Sequence, residues 1–391
     1  MKLIAKLIAG ILAGLLLGFY APEWVIRLLL TAKSLIGELI NFTIPLIILF
    51  FITSGIASLP RNSGKILGKT VILAYASTIV AGTCAFLIAG QVIPLLAENA
   101  VNTEAVANKL TPFIQLSIPP LFGVMTALAT AFLFGIGISK TQNKTLKEAS
   151  DGGRDIIDGL LAKVIIPVLP FYIAGVFAEM TIEGTVFTTL KTFGIVLALA
   201  IVMHWLWLTV LYVGAGIISG RSPLFLLRTM LPAYFTAVGT MSSAATIPVT
   251  LRQTKAMGVN EGVANFTIPL CATIHLSGST ITLVTCATAV MYLAQHMDIP
   301  SLMTMLPFIL MLGITMIAAP GAPGGAVMSA LGLLGSMLGF TEAQLALMIA
   351  LYLAQDSFGT ACNVTGDGAI SLLVDTGFEA ETEASNKPAE A

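Results

Sequence analysis

The sequence predicts an all-α polytopic membrane protein with eight transmembrane helices and two re-entrant helical hairpins related as inverted repeats. Of its 391 residues, 57% are hydrophobic and only 10% are charged, whereas soluble domains contain roughly 25% charged residues. Apolar windows of about 20 residues, the length that crosses a bilayer core, recur along the chain. Two further apolar segments are interrupted by proline and glycine, which predicts hairpins instead of simple spans.

Composition argues against several other classes of protein. The net charge of -1 gives no indication of a nucleic-acid partner. The four cysteines are scattered through apolar segments without metal-type spacing, so we interpret them as packing residues. No nucleophile–base pair or nucleotide-binding loop is present among the motifs, and we therefore do not expect an enzyme.

The eight spans follow from apolar length alone. They are predicted at about 3–20, 34–58, 68–96, 114–139, 155–179, 186–219, 262–293 and 343–375. The first apolar run ends at Tyr20 without a cleavage site of the A-x-A type, which favours a retained span over a signal peptide. The acidic segment 377–391 is predicted to be a disordered tail.

The two hairpins are predicted at 229–251 and 300–340. The first has basic residues at both ends, so it should enter and leave the bilayer by the same face. The second has no charged residue and is centred on "AAPGAPGGAVM" (318–328), which cannot continue a helix. We expect each hairpin to consist of two half-helices joined at a tip.

The distribution of basic residues supports this topology. With both hairpins re-entrant and both termini cytoplasmic, most of the 19 Lys and Arg residues lie on the cytoplasmic side. The exceptions are Arg27, Lys33, Lys109, Lys163 and Lys191. Reading either hairpin as a single span would invert everything after it and remove the agreement.

In the second half of the chain, each hairpin is followed by a span with a polar interruption. These interruptions are "TIHLSGST" (273–280) and "QDSFGTACNVTGDG" (355–368). Because the hairpins enter from opposite faces, the two units are related by inversion, a pattern typical of secondary transporters with a site at the membrane midplane.

Four polar residues of the last span share one helix face. At 100° per residue, Asp356, Thr360, Asn363 and Asp367 fall within roughly 60° of one another. An ionised Asp at the centre of a membrane helix costs at least about 2.5 kcal/mol, and this span contains no Lys or Arg. The stripe therefore predicts a site for Na⁺ or H⁺ and for a substrate ammonium group.

The other polar clusters allow two readings each. The "TIHLSGST" segment can unwind a helix and present carbonyl oxygens to Na⁺, or it can be a close-packing surface. His275 within it is either a proton carrier or a hydrogen-bonded core residue. Thr240, Ser242, Ser243 and Thr246 in the first hairpin can receive a carboxylate or cap a helix. We interpret His204 as an aromatic packing or interface-belt residue.

Four motifs, in order, resemble the dicarboxylate/amino-acid:cation symporter family, which includes the glutamate transporter homologues. They are "SSAATIPVT" (242–250), "IPLCATIHLSGS" (268–279), "APGAPGGAVM" in the second hairpin and "DSFGTACNVTGD" (356–367). The resemblance implies a homotrimer of elevator type in a plasma membrane, with the second hairpin as the extracellular gate; a bacterial inner membrane is expected. It assigns 1–64 and 111–183 to a scaffold, and 65–110 and 184–376 to a transport domain.

The resemblance also implies residue roles. The substrate-binding positions are Ser242, Ser243, Ala322, Asp356, Gly359, Thr360 and Asn363. The Na⁺ positions are Ala272, Thr273, His275, Leu276, Ile317, Ala319, Asn363 and Asp367, several of them through backbone carbonyls. Within these sets, Asp356 would hold the amino group of the substrate, and Asn363 with the Ser242–Ser243 backbone would hold its α-carboxylate.

Departures from the family pattern are informative. The arginine of acidic-substrate members is replaced by Gly359, and the arginine of the first hairpin in archaeal members is replaced by Met241. A second substrate carboxylate would then be buried unpaired, so we expect Na⁺ symport of a small neutral amino acid such as serine, alanine or threonine. An acidic amino acid or dicarboxylate, and a Na⁺-independent exchanger or passive ion-conducting protein, are the alternatives.

The third Na⁺ site of the family is altered as well. Its "NMDGT" motif reads "HLSGS" here, so Ser277 replaces an aspartate and His275 an asparagine, with Thr78 as the matching threonine of the third span. The coupling stoichiometry is therefore open: the protein could bind two Na⁺ ions, or a proton could replace one of them.

Overall fold

A computed structural model describes residues 2–58, 64–96, 110–294, 299–317, 319 and 323–386, with the backbone alone described near some ends of these ranges. The described residues are mostly helical, and no strand occurs among them. Its helices are α1 (Lys2–Tyr20), α2 (Glu23–Ala57), α3 (Gly64–Leu96), α4 (Val124–Thr141), α5 (Lys144–Leu160), α6 (Ile166–Ile182) and α7 (Val186–Ser219), then α8 (Pro223–Thr240), α9 (Ser243–Ala256), α10 (Glu261–Ile274), α11 (Ser277–Leu293), α12 (Leu302–Met316), α13 (Gly325–Leu338) and α14 (Glu342–Asn386).

Most predicted spans correspond to long apolar helices. Seven segments of the described chain are long and apolar enough to cross a membrane: Glu23–Ala57, Lys65–Leu96, Val124–Thr141, Lys144–Ile182, Val186–Ser219, Glu261–Leu293 and Glu342–Thr376. The described part of α1, Ala5–Tyr20, is a shorter apolar helix. The protein is therefore a polytopic membrane protein.

The start of the fourth predicted span is wrong. Residues 114–123 are not helical, and α4 begins at Val124. Pro112, Pro119 and Pro120 explain this because proline lacks the N–H that a helix interior requires. The segment instead lies along α2, where Ile118 N donates to Glu38 Oε2 at 2.8 Å.

The fifth predicted span is preceded by a polar helix. Helix α5 joins α6 through a π-helical segment, Leu161–Ile165. Asp151 of α5 accepts hydrogen bonds from Ser54 Oγ and from Lys147 Nζ, both at 2.7 Å. The bond from Ser54 fastens the polar helix to the end of α2, whereas the bond from Lys147 lies within α5.

The first predicted hairpin is present as two packed helices. α8 and α9 are joined by Met241 and Ser242, and Met241 adopts φ 55° and ψ 27°, in the left-handed region. In the second predicted hairpin, α12 packs on α13. Much of its tip, including Ala322, lies outside the described residues.

The two polar interruptions differ. α10 ends at Ile274 and α11 begins at Ser277, so the predicted break at "TIHLSGST" is confirmed. The second interruption, at 355–368, is one of polarity alone, because α14 runs unbroken through it, as the single helix face predicted for its polar residues requires. Its polar side chains recur at helical spacing and bond to neighbouring helices, so the backbone has no reason to unwind.

The C-terminal prediction also differs from the structure. α14 continues to Asn386, ten residues into the segment for which we expected disorder. The segment 377–391 is rich in Ala and Glu, which favour helix. Its first proline is Pro388, so no proline interrupts the helix before that residue.

Helix packing places α11 and α14 at the centre of the molecule. In the most apolar window of Glu342–Thr376, 89% of residues are buried, compared with 28% for Val124–Thr141. α11 packs against α3, α7 and α14, whereas α1, α2, α4, α5 and α6 pack mainly among themselves. The polar stripe of α14 therefore lies inside the protein and not against lipid.

Candidate functional site

The break between α10 and α11 is built from two residues whose backbone is not helical. His275 has φ -109° and ψ 91°, and Leu276 has φ -117° and ψ 46°. His275 N still donates to Cys271 O at 2.9 Å, and helical bonding resumes with Thr280 N to Leu276 O at 2.9 Å. Because the last carbonyls of a helix lack intrahelical partners, the backbone oxygens around Ala272 and Thr273 are available as hard ligands.

Asn363 of α14 closes the start of α11. Its Oδ1 accepts from Gly278 N at 2.7 Å and from Ser279 N at 3.1 Å, and its Nδ2 donates to Ser279 Oγ at 2.9 Å. The side chain thus satisfies two backbone N–H groups at the N-terminus of a helix. These bonds give Asn363 a structural role that the helical wheel did not predict.

Asp356 contacts the second hairpin. Its Oδ2 accepts from Gly324 N at 2.7 Å, and Gly324 immediately precedes α13 with φ 79°. A carboxylate at this position is favoured by the positive end of the α13 dipole. Thr360, one turn further along α14, and Tyr352, one turn before, are both buried.

Asp367 lies in a second buried cluster. His275 Nδ1 is 2.9 Å from Asp367 Oδ1, and His275 Nε2 is 2.9 Å from Ser77 Oγ of α3. All three side chains are buried, and Asp367 Oδ2 has no hydrogen-bond partner. At 1.5 Å per residue, the two carboxylate positions are separated by about 16 Å along α14.

The hydroxyl of Thr78 is not part of this cluster. It donates to Ala74 O of its own helix at 2.9 Å, and its neighbour Ser77 provides the contact with His275. Ser277 is buried, and its hydroxyl has no partner.

Serines of the first hairpin form a helix cap. Ser242 Oγ accepts from Ala245 N at 3.3 Å, and Ser242 O accepts from Thr246 Oγ1 at 2.8 Å. Ser243 is buried at the first position of α9. The capping interpretation is therefore confirmed, and carboxylate binding at this tip stays a prediction.

Close packing of α14 against α11 explains why residue 359 is a glycine. A Cβ built on Gly359 would lie 3.2 Å from Thr282 Oγ1 and 3.6 Å from the Gly278 backbone, both in α11. Conversely, a Cβ on Gly278 would lie 2.4 Å from Gly359 O. Glycine at both positions allows α11 and α14 to approach closely, whatever substrate is carried.

Of the two readings of His204, burial agrees with a packing residue, and the interface-belt reading is wrong. Its side chain is fully buried, with Nε2 3.0 Å from Gly278 O and 3.1 Å from Thr282 Oγ1. His204 Nδ1 has no hydrogen-bond partner. The adjacent tryptophans suggested a membrane interface. The direction in which His204 points is instead set by the packing of α7 against α11.

The remaining predicted positions have simpler surroundings. Thr273 has an exposed side chain that donates to Leu270 O at 2.8 Å. Leu276, Ile317 and Ala319 are half-buried. No group of three or more His, Cys, Asp and Glu side chains suited to a metal occurs among the described residues, a finding that does not bear on sites built from backbone carbonyls.

Comparisons with known proteins agree with this architecture. The family model described as the sodium:dicarboxylate symporter family matches residues 3–376. A serine/threonine transporter SstT of Enterococcus faecalis is 27% identical over 97% of this chain and 91% of the relative, and one of Acinetobacter baumannii is 26% identical over 88% and 90%. Human excitatory amino acid transporter 1 is 28% identical over 73% of this chain and 53% of its own length.

These relatives are transporters and not enzymes, as expected. The family match implies sodium-coupled transport across a membrane, in agreement with the apolar helices and the buried carboxylates. Since the match covers nearly the whole chain, the protein belongs to the sodium:dicarboxylate symporter family.

Proposed function

We propose that the protein is a Na⁺-coupled symporter of a small neutral amino acid, with serine, threonine or alanine as substrate. The observation that carries this proposal is a buried site with two carboxylates, Asp356 and Asp367, and no buried Lys or Arg in the described part of the chain. One carboxylate can pair with a substrate ammonium and the other with a cation. A substrate that brought a second carboxylate would find no basic side chain to offset its burial.

The position of Asp356 supports its role in binding the amino group. Its bond to Gly324 N ties the polar stripe of α14 to the second hairpin. A substrate ammonium beside Asp356 would therefore lie under this hairpin, where Ala322 is expected to contribute. Thr360 would add a hydroxyl, and Ser242 with Ser243 would supply the first hairpin's side of the site. Gly359 would leave the substrate side chain without a basic partner.

The Na⁺ ligands that we propose fit the observed chemistry. Asp367 offers an unpartnered oxygen, and the end of α10 offers carbonyls near Ala272, Thr273 and His275. Leu276 on the break and Ile317 with Ala319 at the end of α12 would contribute to the second site. Carboxylate and carbonyl oxygens are the ligands that hard cations prefer. Two Na⁺ ions, or one Na⁺ and one proton, are compatible with this set.

We further propose an elevator mechanism in a homotrimer. The helices α1, α2, α4, α5 and α6 would form the scaffold, and α3 with α7–α14 would form the moving transport domain, as their packing preferences support. The bacterial serine/threonine transporters among its relatives support a plasma membrane, and we propose a bacterial inner membrane. The positive-inside pattern places both termini in the cytoplasm.

Competition in proteoliposomes tests the proposed substrate. Uptake of radiolabelled serine driven by an inward Na⁺ gradient should be inhibited by unlabelled alanine and threonine, and not by succinate. Replacing Na⁺ with choline should abolish uptake because the gradient supplies the driving force. Inhibition by succinate alone would contradict the neutral substrate, and uptake that ignores the Na⁺ gradient would favour an exchanger or passive protein.

An acidic substrate is the second candidate, and the observation that favours it is His204. This histidine is buried beside Gly278 and Thr282, the same groups that face Gly359. It is thus an imidazole close to the position that bears arginine in acidic-substrate relatives, and it would pair with a substrate carboxylate in its protonated form. If aspartate inhibits serine uptake in the native protein, His204→Gln should abolish that inhibition while serine uptake continues; equal inhibition in the variant would exclude this role.

A further inference from the structure

Three helices meet through one imidazole ring inside the candidate cation site. His275, in the break between α10 and α11, contacts Ser77 of α3 through Nε2 and Asp367 of α14 through Nδ1, both at 2.9 Å. His275 and Asp367 are completely buried, and Ser77 nearly so. An ionised carboxylate can only accept, so Nδ1 is the donor in the bond to Asp367.

The two oxygens of Asp367 are not equivalent. Oδ1 is occupied by His275, whereas Oδ2 is buried without a hydrogen-bond partner. Buried carboxylate oxygens are normally hydrogen-bonded or bound to a cation, because leaving them unpaired is costly. The free oxygen therefore points to a cation that this protein binds during transport.

The space for the ring is provided by α14. A Cβ built on Gly366 would lie 2.8 Å from His275 Cε1, closer than unbonded carbon atoms allow. The glycine immediately before Asp367 thus accommodates the imidazole. Because His275 lies outside both helices, its ring can reach α3 and α14 at once.

We propose that His275 is a positioning residue for the coupling cation. Its Nδ1–H holds Asp367 in the rotamer that presents Oδ2 alone to the cation, and Ser77 fixes the plane of the ring. This inference rests on the proposed Na⁺ coupling and deepens it. Hydrogen-bond partners that orient a metal ligand typically contribute about 10- to 100-fold to metal affinity.

Two conservative variants distinguish the role of Nδ1 from that of Nε2. In His275→Asn the amide nitrogen takes the place of Nδ1, and in His275→Gln it takes the place of Nε2. The Na⁺ affinity of detergent-purified protein is measured without substrate, as the shift in melting temperature on titration with NaCl at constant ionic strength balanced by choline chloride. We expect His275→Asn to keep Na⁺ affinity within about threefold and His275→Gln to lose about 10- to 100-fold.

Variants of the neighbouring helices extend this test. Gly366→Ala should displace the ring and weaken Na⁺ binding like His275→Gln, and Ser77→Ala should weaken it less. Thr70→Val is the matched control on α3, because the Thr70 hydroxyl donates only to Ile66 O of its own helix, at 2.7 Å. Melting temperatures in choline alone show whether each variant is folded.

The outcomes are distinct. Equal loss of Na⁺ affinity in His275→Asn and His275→Gln would overturn the proposal, because the ring would then act only in packing. Tighter Na⁺ binding in His275→Asn would overturn it as well, because the ring would then compete with the cation. If the native protein itself is not stabilised by Na⁺, the proposed coupling fails and this role fails with it.

Discussion

At the scale of single residues, the site depends on polar groups that each bond to a different helix. Asp356 bonds to the second hairpin, Asn363 to the start of α11, and Asp367 to His275 in the break. A helical wheel places these three side chains on one face but gives them no partners. The partners show that all three side chains also join α14 to neighbouring elements.

Asp356→Asn should abolish amino-acid binding and spare the fold. The amide oxygen of Asn can still accept from Gly324 N, but it cannot pair with an ammonium group, so we expect at least about a 100-fold loss of serine affinity. Serine-dependent shifts in melting temperature measure this loss.

Asp375→Asn is the matched control for Asp356→Asn. Asp375 is also buried on α14 and accepts from a backbone N–H, that of Asn260, at 2.9 Å. It lies beyond the polar stripe, so serine affinity should not change. Native serine affinity in Asp356→Asn would refute the role of Asp356.

Gly278→Ala should destabilise the protein. The added Cβ would lie 2.4 Å from Gly359 O and 2.5 Å from Cys362 Cβ, and overpacking of this kind costs about 1–3 kcal/mol or more. Thermal unfolding in detergent measures the effect. Gly194→Ala is the control, since nothing lies within 4 Å of a Cβ there, and an equal loss of stability in both variants would contradict the assigned packing.

At the scale of secondary structure, proline and glycine have different effects. Proline sets where a helix begins, and glycine allows a neighbouring helix to pack closely. Pro119 and Pro120 keep residues before α4 out of the helix, whereas the glycines of α14 occur where other side chains press against it. The second hairpin touches the proposed scaffold through a glycine as well. A Cβ on Gly332 of α13 would lie 2.8 Å from Ile44 of α2 and 2.8 Å from Val124 of α4.

Gly332→Ala should slow transport more than it weakens binding. If α13 moves along α2 during the transport cycle, a methyl group at this contact raises the energy of the observed arrangement by about 1–3 kcal/mol. Uptake rates in proteoliposomes should change, while serine-induced stabilisation in detergent should persist. Gly335→Ala is the control because a Cβ there makes only an ordinary contact at 3.9 Å; identical uptake in the two variants would contradict the prediction.

At the scale of the whole molecule, the proposed ligands would balance the charges of Asp356 and Asp367. The unpartnered oxygen of Asp367 and the absence of buried Lys and Arg in the described chain both indicate a protein that gains stability from cations and substrate. Binding to the folded state alone raises stability in proportion to the logarithm of ligand concentration. Transport then follows from coupling two such binding events.

Serine and Na⁺ should therefore stabilise the protein together more than either does alone. At serine concentrations about 100-fold above its dissociation constant, the gain is about 2.7 kcal/mol. Melting curves in NaCl and in choline chloride, each with and without serine, measure it. A serine effect of the same size in both salts would show that the two sites are not coupled.

The sequence by itself determined the membrane class, the helical hairpins, the break at His275 and the candidate residues of α14, because apolar length, proline and polar spacing act locally. Only the tertiary structure decided which groups bond to them. His204 turns inward, Ser77 and not Thr78 meets His275, and Gly359 serves close packing. The physical reason is that hydrogen-bond partners and Cβ contacts come from helices far apart in the chain, and local patterns carry no information about that pairing.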